Sequence, residues 1–295
     1  MELTPLRYFL AIARSSGFTA AAVELGISQS ALSRSIQRLE EELGQPLFER
    51  DSRPLALTEA GHTFKNRALQ IIGLVEQSVA EITDDGATGH VRVGAIPTIA
   101  PYWLPQLVSQ FSKVRPQAQV FVYEEVTAKL MERIRDGELD VAIMALPIDG
   151  QYLDSKRLFD EELYLMHGPE HPLASKKKIK IEDIQPYPML MLDQSHCLSD
   201  QVSSFCKQRS IQPIALERAS QLTTVQALVS IGHGISFIPA MAKPRAEAQS
   251  GQYRSLEGTK PKRSVVMVWN PYRFQSQLVQ SFRDEVLAYS QEYDR

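Results

Sequence analysis

The residues with the most chemical potential lie in one short stretch, Asp193-Gln194-Ser195-His196-Cys197-Leu198-Ser199-Asp200-Gln201-Val202-Ser203-Ser204-Phe205-Cys206. It holds both cysteines of a 295-residue chain. Cys197 follows a histidine and precedes Asp200, a favourable helix N-cap residue, which predicts a loop leading into a helix. A thiol placed there, beside a base, is expected to ionise near neutral pH, and the thiolate is the nucleophilic form. Cys206 shares a helical face with Val202 and, roughly, Phe205. Nine positions separate the two cysteines. In an unbroken helix that spacing spans about 13 Å, whereas a disulfide needs Cα atoms within about 7 Å. A bond between these thiols therefore requires the helix to come apart, which defines a switch. The plainer reading is that both are small buried hydrophobes, as most free cysteines are.

The composition sets the setting for that chemistry. Hydrophobic residues make up 43% and charged residues 23%, ordinary values for a water-soluble globular protein of two or three domains. The net charge of −3 gives no global basic field, so any nucleic-acid contact must come from a local basic face. Two cysteines do not form an extracellular disulfide scaffold, and with six scattered histidines they do not suggest a zinc site. No metal or cofactor is expected. Met1 to Arg7 shows no signal-peptide pattern and no apolar run is long enough to span a bilayer, so a cytoplasmic protein without membrane contact is expected.

The elements that precede the cysteines point to DNA. Pro5 to about Arg14 reads as an amphipathic helix with Leu6, Phe9, Leu10 and Ala13 on one face. Thr19 to Leu25 is a short alanine-rich helix ended by Gly26, and Ser28 can cap a third helix from Gln29 to about Glu42. Two short helices around a glycine-containing turn form a helix-turn-helix pattern. On the third helix Leu32, Ile36, Leu39 and Leu43 make an apolar stripe, leaving Gln29, Ser30, Ser33, Arg34 and Gln37 on other faces. Such a polar set at the N-terminal end is where a recognition helix meets base edges, with Gln suited to adenine and Arg to guanine. A merely solvated polar face is the competing reading. Gln45 to Arg50 and Arg53 to Thr58 read as two short strands of a wing, with Arg50 and Arg53 placed for phosphates.

The run from Ser28 to Gly44, followed by Pro46-Leu47-Phe48-Glu49-Arg50 and Leu57-Thr58-Glu59-Ala60-Gly61, closely resembles the LysR-type transcriptional regulators. The resemblance is dense over about the first sixty residues and implies a winged helix-turn-helix over residues 1–58. It implies double-stranded promoter DNA as partner, met by Thr19, Ser28, Gln29, Ser30, Ser33, Arg34, Gln37, Arg50 and Arg53. From 59 to 82 one long helix is expected, with Phe64, Ala68, Ile71, Val75, Val79 and Ile82 forming a heptad-like seam for a second copy. Residues 83–89 are polar and glycine-containing, a hinge.

Beyond the hinge, strands alternate with helices, which predicts α/β layers. Strands are expected at 90–95, 119–124, 141–146, 189–192, 214–219, 235–238 and 263–269, with a crossover near 158–166. Helices are expected at 101–113, 127–135, through Cys206, at 222–230 and at 274–291. The fold class is thus α/β, a winged helix-turn-helix and linker helix followed by a regulatory domain over residues 90–295. Two similar lobes joined by crossovers, with Gly137 to Ile143, resemble the periplasmic-binding-protein-like effector domain of the same family.

Most of that family bind small anionic metabolites between the lobes. The segment around Cys197 resembles instead the hydrogen-peroxide-sensing, or OxyR, branch. The likeness rests on His196-Cys197-Leu198, Asp200-Gln201, Phe205-Cys206 and their spacing, on Gly94 to Thr98, Pro101-Tyr102, Thr127 and Arg263. It departs where Ser195 replaces the usual Gly before the His-Cys pair and Ser199 an arginine after Leu198. The resemblance implies Cys197 as the peroxidatic and Cys206 as the resolving thiol, with Thr98, Thr127, His196, Asp200 and Arg263 around hydrogen peroxide. It further implies a homotetramer, contact with RNA polymerase, a thiol reductant, and a regulator rather than an enzyme. Two alternatives remain open from the residues alone: a regulator whose cleft takes an organic effector, and a thiol peroxidase carrying a DNA-binding domain.

Overall fold

The computed structural model describes residues 2–15, 17–49, 55–83, 86, 88–148, 152–211, 214–244 and 252–293. The chain divides into two compact units, 1–84 and 85–295.

In the first unit α1 (Leu3–Arg14), α2 (Phe18–Leu25) and α3 (Gln29–Leu43) close around Leu6, Phe9, Ile12, Ala21, Ala22, Leu32, Ile36 and Leu39. Gly26 ends α2 in the left-handed region (φ 66°), where a side chain would be strained. Ser28 caps α3 as its type suggests, its Oγ accepting from the Ala31 amide at 3.2 Å. Leu43, the last residue of the expected stripe, lies beyond the core and is exposed. Among the described residues of the wing, Phe48 and Leu57 form an antiparallel bridge. Glu40 ties it to α3, its Oε1 accepting from the amides of Leu47 (2.6 Å) and Phe48 (3.3 Å). Arg50 and Arg53, expected on the wing, fall outside the described residues.

Helix α4 (Glu59–Thr83) begins where Thr58 Oγ1 accepts from the Gly61 amide at 2.9 Å. A Cβ on Gly61 would lie 2.1 Å from the Leu47 carbonyl oxygen, so the glycine lets helix and wing touch. Ala68 and Ile72 are buried in the first unit's core, with Phe64 packed against it. Ile72 takes the inward place expected of Ile71, because a helix at 3.6 residues per turn drifts off a strict seven-residue repeat. Further along, Leu74, Val79 and Ile82 are exposed.

The second unit contains β1 (Gly89–Ala95), α5 (Ala100–Val114), β2 (Ala118–Glu124), α6 (Thr127–Asp136) and β3 (Val141–Ala145). Then come β4 (Asp154–His167), β5 (Pro188–Leu192), α7 (Cys197–Lys207), β6 (Ile214–Ala219) and α8 (Leu222–Ser230). It closes with β7 (Ile235–Pro239), β8 (Gln252–Arg254), β9 (Lys262–Trp269) and α9 (Gln277–Ser290). Among the described residues the strands run in the order β2-β1-β3-β9-β4-β7-β5-β6, with β8 beside β4. Parallel pairs (β1 with β2 and β3, β5 with β6 and β7) form each end, and antiparallel β4 and β9 join them. The expected crossover is in fact one 14-residue strand, β4. It pairs with β9 from Asp154 to Glu162 and with β7 from Leu163 to His167. Two lobes result, each with its own core. One gathers Trp103, Phe111, Ile143, Phe159 and Phe282, the other Leu165, Leu190, Val202, Val225 and Phe237.

Candidate redox site

Cys197 is the first residue of α7, and His196, not Asp200, holds the N-cap position. The chain turns into the helix through Asp193, whose Oδ1 accepts from the Ser195 amide (2.9 Å) and from the Ser195 hydroxyl. The Asp193 carbonyl accepts from the His196 amide at 3.2 Å, and His196 Nε2 lies 3.8 Å from Asp193 Oδ2. This turn starts the helix before Asp200 is reached. Asp200 therefore lies within the first turn of α7 and not at its cap, exposed to solvent.

Three elements distant in sequence meet the Cys197 end of α7. Ile96, Pro97 and Thr98 follow β1, Val126 and Thr127 open α6, and with Ser195, His196 and Cys197 they line one narrow pocket. Asp200 is not part of it. Arg263, on β9, is buried behind Thr98: its Nη1 donates to Thr98 Oγ1 at 2.7 Å and its Nη2 to the Thr98 carbonyl at 3.0 Å. Thr98 does not cap α5; its hydroxyl accepts from the guanidinium instead. The Thr127 hydroxyl is buried with no well-formed hydrogen bond, and faces Cys197 closely enough to favour the thiolate.

Sequence reasoning missed Glu161. It lies opposite Arg263 in the β4–β9 register, 7% exposed, and its Oε1 accepts from Arg263 Nε at 2.6 Å. Its Oε2 accepts from the Met241 amide at 3.0 Å, in the short 3-10 turn after β7. Nothing local marks this residue in the sequence; only the pairing of two strands a hundred positions apart brings it to the arginine.

Burial pushes the Cys197 thiol up from its usual range, contrary to the expectation of ready ionisation. Arg263, Thr127 and the backbone amide at the helix start act against burial, and Asp200 adds to it by repulsion. Desolvation is the largest of these effects and outweighs the gains. Cys206 is fully buried in the second lobe's core, and burial pushes its thiol up to about 11. Both cysteines are free, and the helix between them is continuous. Ser199 points inward, its Oγ donating to the Leu192 carbonyl at 2.6 Å. Gln201 reaches across to the first lobe, donating to the Leu146 carbonyl at 2.5 Å.

The DNA candidates that fall within the described residues are solvent-exposed: Thr19 on α2, and Ser28, Gln29, Ser30, Ser33, Arg34 and Gln37 at and along α3. Gln37 donates to Glu41 Oε1 at 3.2 Å along the helix, and Ser28 and Ser30 share a 3.2 Å contact. No helix among the described residues is long and apolar enough to cross a membrane, and none of their His, Cys, Asp and Glu side chains gather in a metal-ligating group of three.

Residues 3–62 match the bacterial regulatory helix-turn-helix proteins of the lysR family, and residues 84–291 match the LysR substrate binding domain. The chain belongs to the LysR family of bacterial transcriptional regulators. A hydrogen peroxide-inducible genes activator of Pectobacterium carotovorum subsp. carotovorum is 32% identical over 274 residues, which cover 92% of this chain and 91% of the relative. A full-length cysteine-to-aspartate variant of Pseudomonas aeruginosa OxyR superposes with a TM-score of 0.78 at 30% identity, covering 98% and 94% of the two chains. A hydrogen-peroxide-bound cysteine-to-serine variant of Corynebacterium glutamicum OxyR matches at 0.66, again 30% identical, over 99% and 94%. Within the LysR family the chain stands in the OxyR branch.

Proposed function

We propose that this protein is a transcriptional regulator that senses hydrogen peroxide through Cys197 and stores the signal as a Cys197–Cys206 disulfide. The observation that carries the reading is the placement of the two thiols at opposite ends of one helix, one in a polar pocket and the other in a core. The Cys197 thiolate attacks one peroxide oxygen, the O–O bond breaks, and the departing hydroxide takes a proton to become water. Thr98, Thr127 and His196 hold the peroxide in line with sulfur, which lowers the barrier by positioning. His196 or a threonine-held water hands over the proton; Asp200 acts only through its charge. The sulfenic acid then meets the Cys206 thiol, the S–S bond forms and a second water leaves. Cys206 reaches Cys197 only when α7 unwinds, so the covalent bond selects a second conformation of the lobe.

Residues 1–58 bind promoter DNA, 59–82 pair with a second copy through the exposed Leu74, Val79 and Ile82 of α4, 83–89 are the hinge, and 90–295 form the sensor. The tetramer carries four winged helices, and rearranged lobes change how they sit on DNA and how they meet RNA polymerase. Each redox cycle consumes one peroxide and ends with a thiol reductant, so the protein is a sensor and not an enzyme. It works in the cytoplasm, where its DNA is.

The test is mass spectrometry under non-reducing conditions after a few equivalents of hydrogen peroxide are added to reduced protein. An intramolecular Cys197–Cys206 bond, absent in Cys197→Ser, is expected, with a changed DNA footprint. If both thiols stay reduced, the peroxide reading fails.

A further inference from the structure

The cation available to activate Cys197 is not a free one. Every nitrogen of Arg263 is engaged: Nε and Nη2 both lie 2.6 Å from Glu161 Oε1, while Nη1 and Nη2 hold Thr98. Both partners are buried, so solvent screens the pair little and each charge is felt strongly at short range. A carboxylate that close cancels much of the field that the guanidinium projects beyond it. Among the described residues the charges that act on the thiol are Arg263 on β9 and Asp200 within α7; His196 with Asp193 stands at the helix entrance, and Glu161 on β4 and Tyr102 on α5 lie by the arginine. Of the carboxylates, Asp200 opposes thiolate formation directly, and Glu161 is bound to the arginine that favours it.

We propose that Glu161 sets the threshold of the sensor: by sharing the charge of Arg263 it keeps Cys197 in its protonated, slow-reacting form, and so limits the response to higher oxidant levels. This deepens the reading above and rests on Cys197 being the reacting thiol. Glu161 is a positioning residue, acting through Arg263 and not touching the pocket. The second carboxylate oxygen gives this control a mechanical handle. It accepts from the Met241 amide, in the turn that follows β7 of the second lobe, while Met241 itself packs on the first lobe's core. A shift of that turn loosens Glu161 from Arg263 and raises the reactivity of the thiol. The threshold thus depends on how the lobes are held.

The experiment uses the full chain in a Cys206→Ser background, which leaves Cys197 as the single thiol. Its alkylation by iodoacetamide, in which the thiolate forms a thioether and iodide leaves, is followed against pH. With Glu161→Gln the midpoint of the profile moves about one unit to lower pH, making the reaction near neutrality roughly ten times faster. Glu161→Asp, which keeps the charge but draws it back by one methylene, falls between the two. It carries the test by itself if the amide variant does not fold. Adding Arg263→Gln abolishes the difference between Glu161 and its variants, because the effect runs through the arginine. A midpoint that stays in place or moves to higher pH in both Glu161 variants overturns the proposal. Alkylation reads ionisation whatever the natural oxidant is, so this failure is separate from a failure to form the disulfide with peroxide.

Discussion

The two ends of α7 carry the same side chain and opposite chemistry. Cys197 starts the helix, packs against the first lobe's core and opens onto Thr98, Thr127 and His196. Cys206 sits nine residues on, fully buried among Val202, Leu190 and Phe237 in the second lobe's core. Burial raises both thiols; against it Cys206 has the charge of Arg209 alone, whereas Cys197 has Arg263, the Thr127 hydroxyl and a helix-start amide. The difference teaches that order of reaction is written into the surroundings. Cys197 can react in place, whereas Cys206, held near 11, becomes a competent nucleophile only when the helix releases it into water.

The sharpest way to break that comparison is to remove each thiol in turn. Cys197→Ser is expected to abolish peroxide consumption entirely, leaving Cys206 reduced in intact protein. Cys206→Ser should still consume one peroxide and stop at the sulfenic acid, trapped by dimedone and seen by mass spectrometry. Equal reactivity of the two single-thiol proteins would contradict the asymmetry outright. Next in size is Arg263→Gln. Stopped-flow peroxide kinetics should show a roughly 10- to 100-fold slower Cys197, as the thiolate loses its cation. The same change leaves the buried Glu161 charge without its cation, so denaturant unfolding should show a loss of about 3 kcal/mol.

A smaller effect isolates the hydroxyl. Thr127→Val keeps the shape and removes a buried hydroxyl that favours the thiolate, so a roughly tenfold slower Cys197 is expected with stability within about 0.5 kcal/mol. Alkaline pH tests the other end of the helix. The Cys206 thiol moves from an ordinary 9.0 to about 11 on folding, so the native state favours its neutral form. The stability this lends is complete below pH 9 and is lost as pH rises toward 11, while the unfolded thiol ionises and the folded one does not. Wild-type protein should therefore weaken across that window more than Cys206→Ser does in chemical denaturation. The smallest effect on the thiols, none, is expected from Arg34→Ala. It should cost about 1–3 kcal/mol of promoter binding in a mobility-shift titration while leaving the rate of Cys197 oxidation unchanged.

Much of the fold is legible in the amino-acid sequence. The N-terminal helices follow from local signals that act within a few residues: the Leu32, Ile36 and Leu39 stripe, the Ser28 cap and the Gly26 stop. The helix that links the two cysteines is equally local in origin. Less visible is β4, which reads as a crossover because its two halves are buried in different lobes and show no single alternation. Residue types alone place the start of α7 too late, since Asp200 suits a cap but the turn at Asp193 acts first. In the same way Ile72 replaces Ile71, a matter of helix phase that only packing against the first unit's core reveals.

By itself the sequence determined which residues could do the chemistry, how far apart they stand along the chain, and that a bond between them must break a helix. Those are properties of neighbouring residues and of the fixed rise of a helix. The tertiary structure decided how reactive they are. Desolvation and charge are sums over atoms brought together from distant elements, Thr127 on α6 and Arg263 on β9 among them, and strand register alone sets Glu161 beside that arginine. A thiol that looks primed beside a histidine is thereby pushed up, because low dielectric penalises its charge more than Arg263, Thr127 and the helix-start amide favour it.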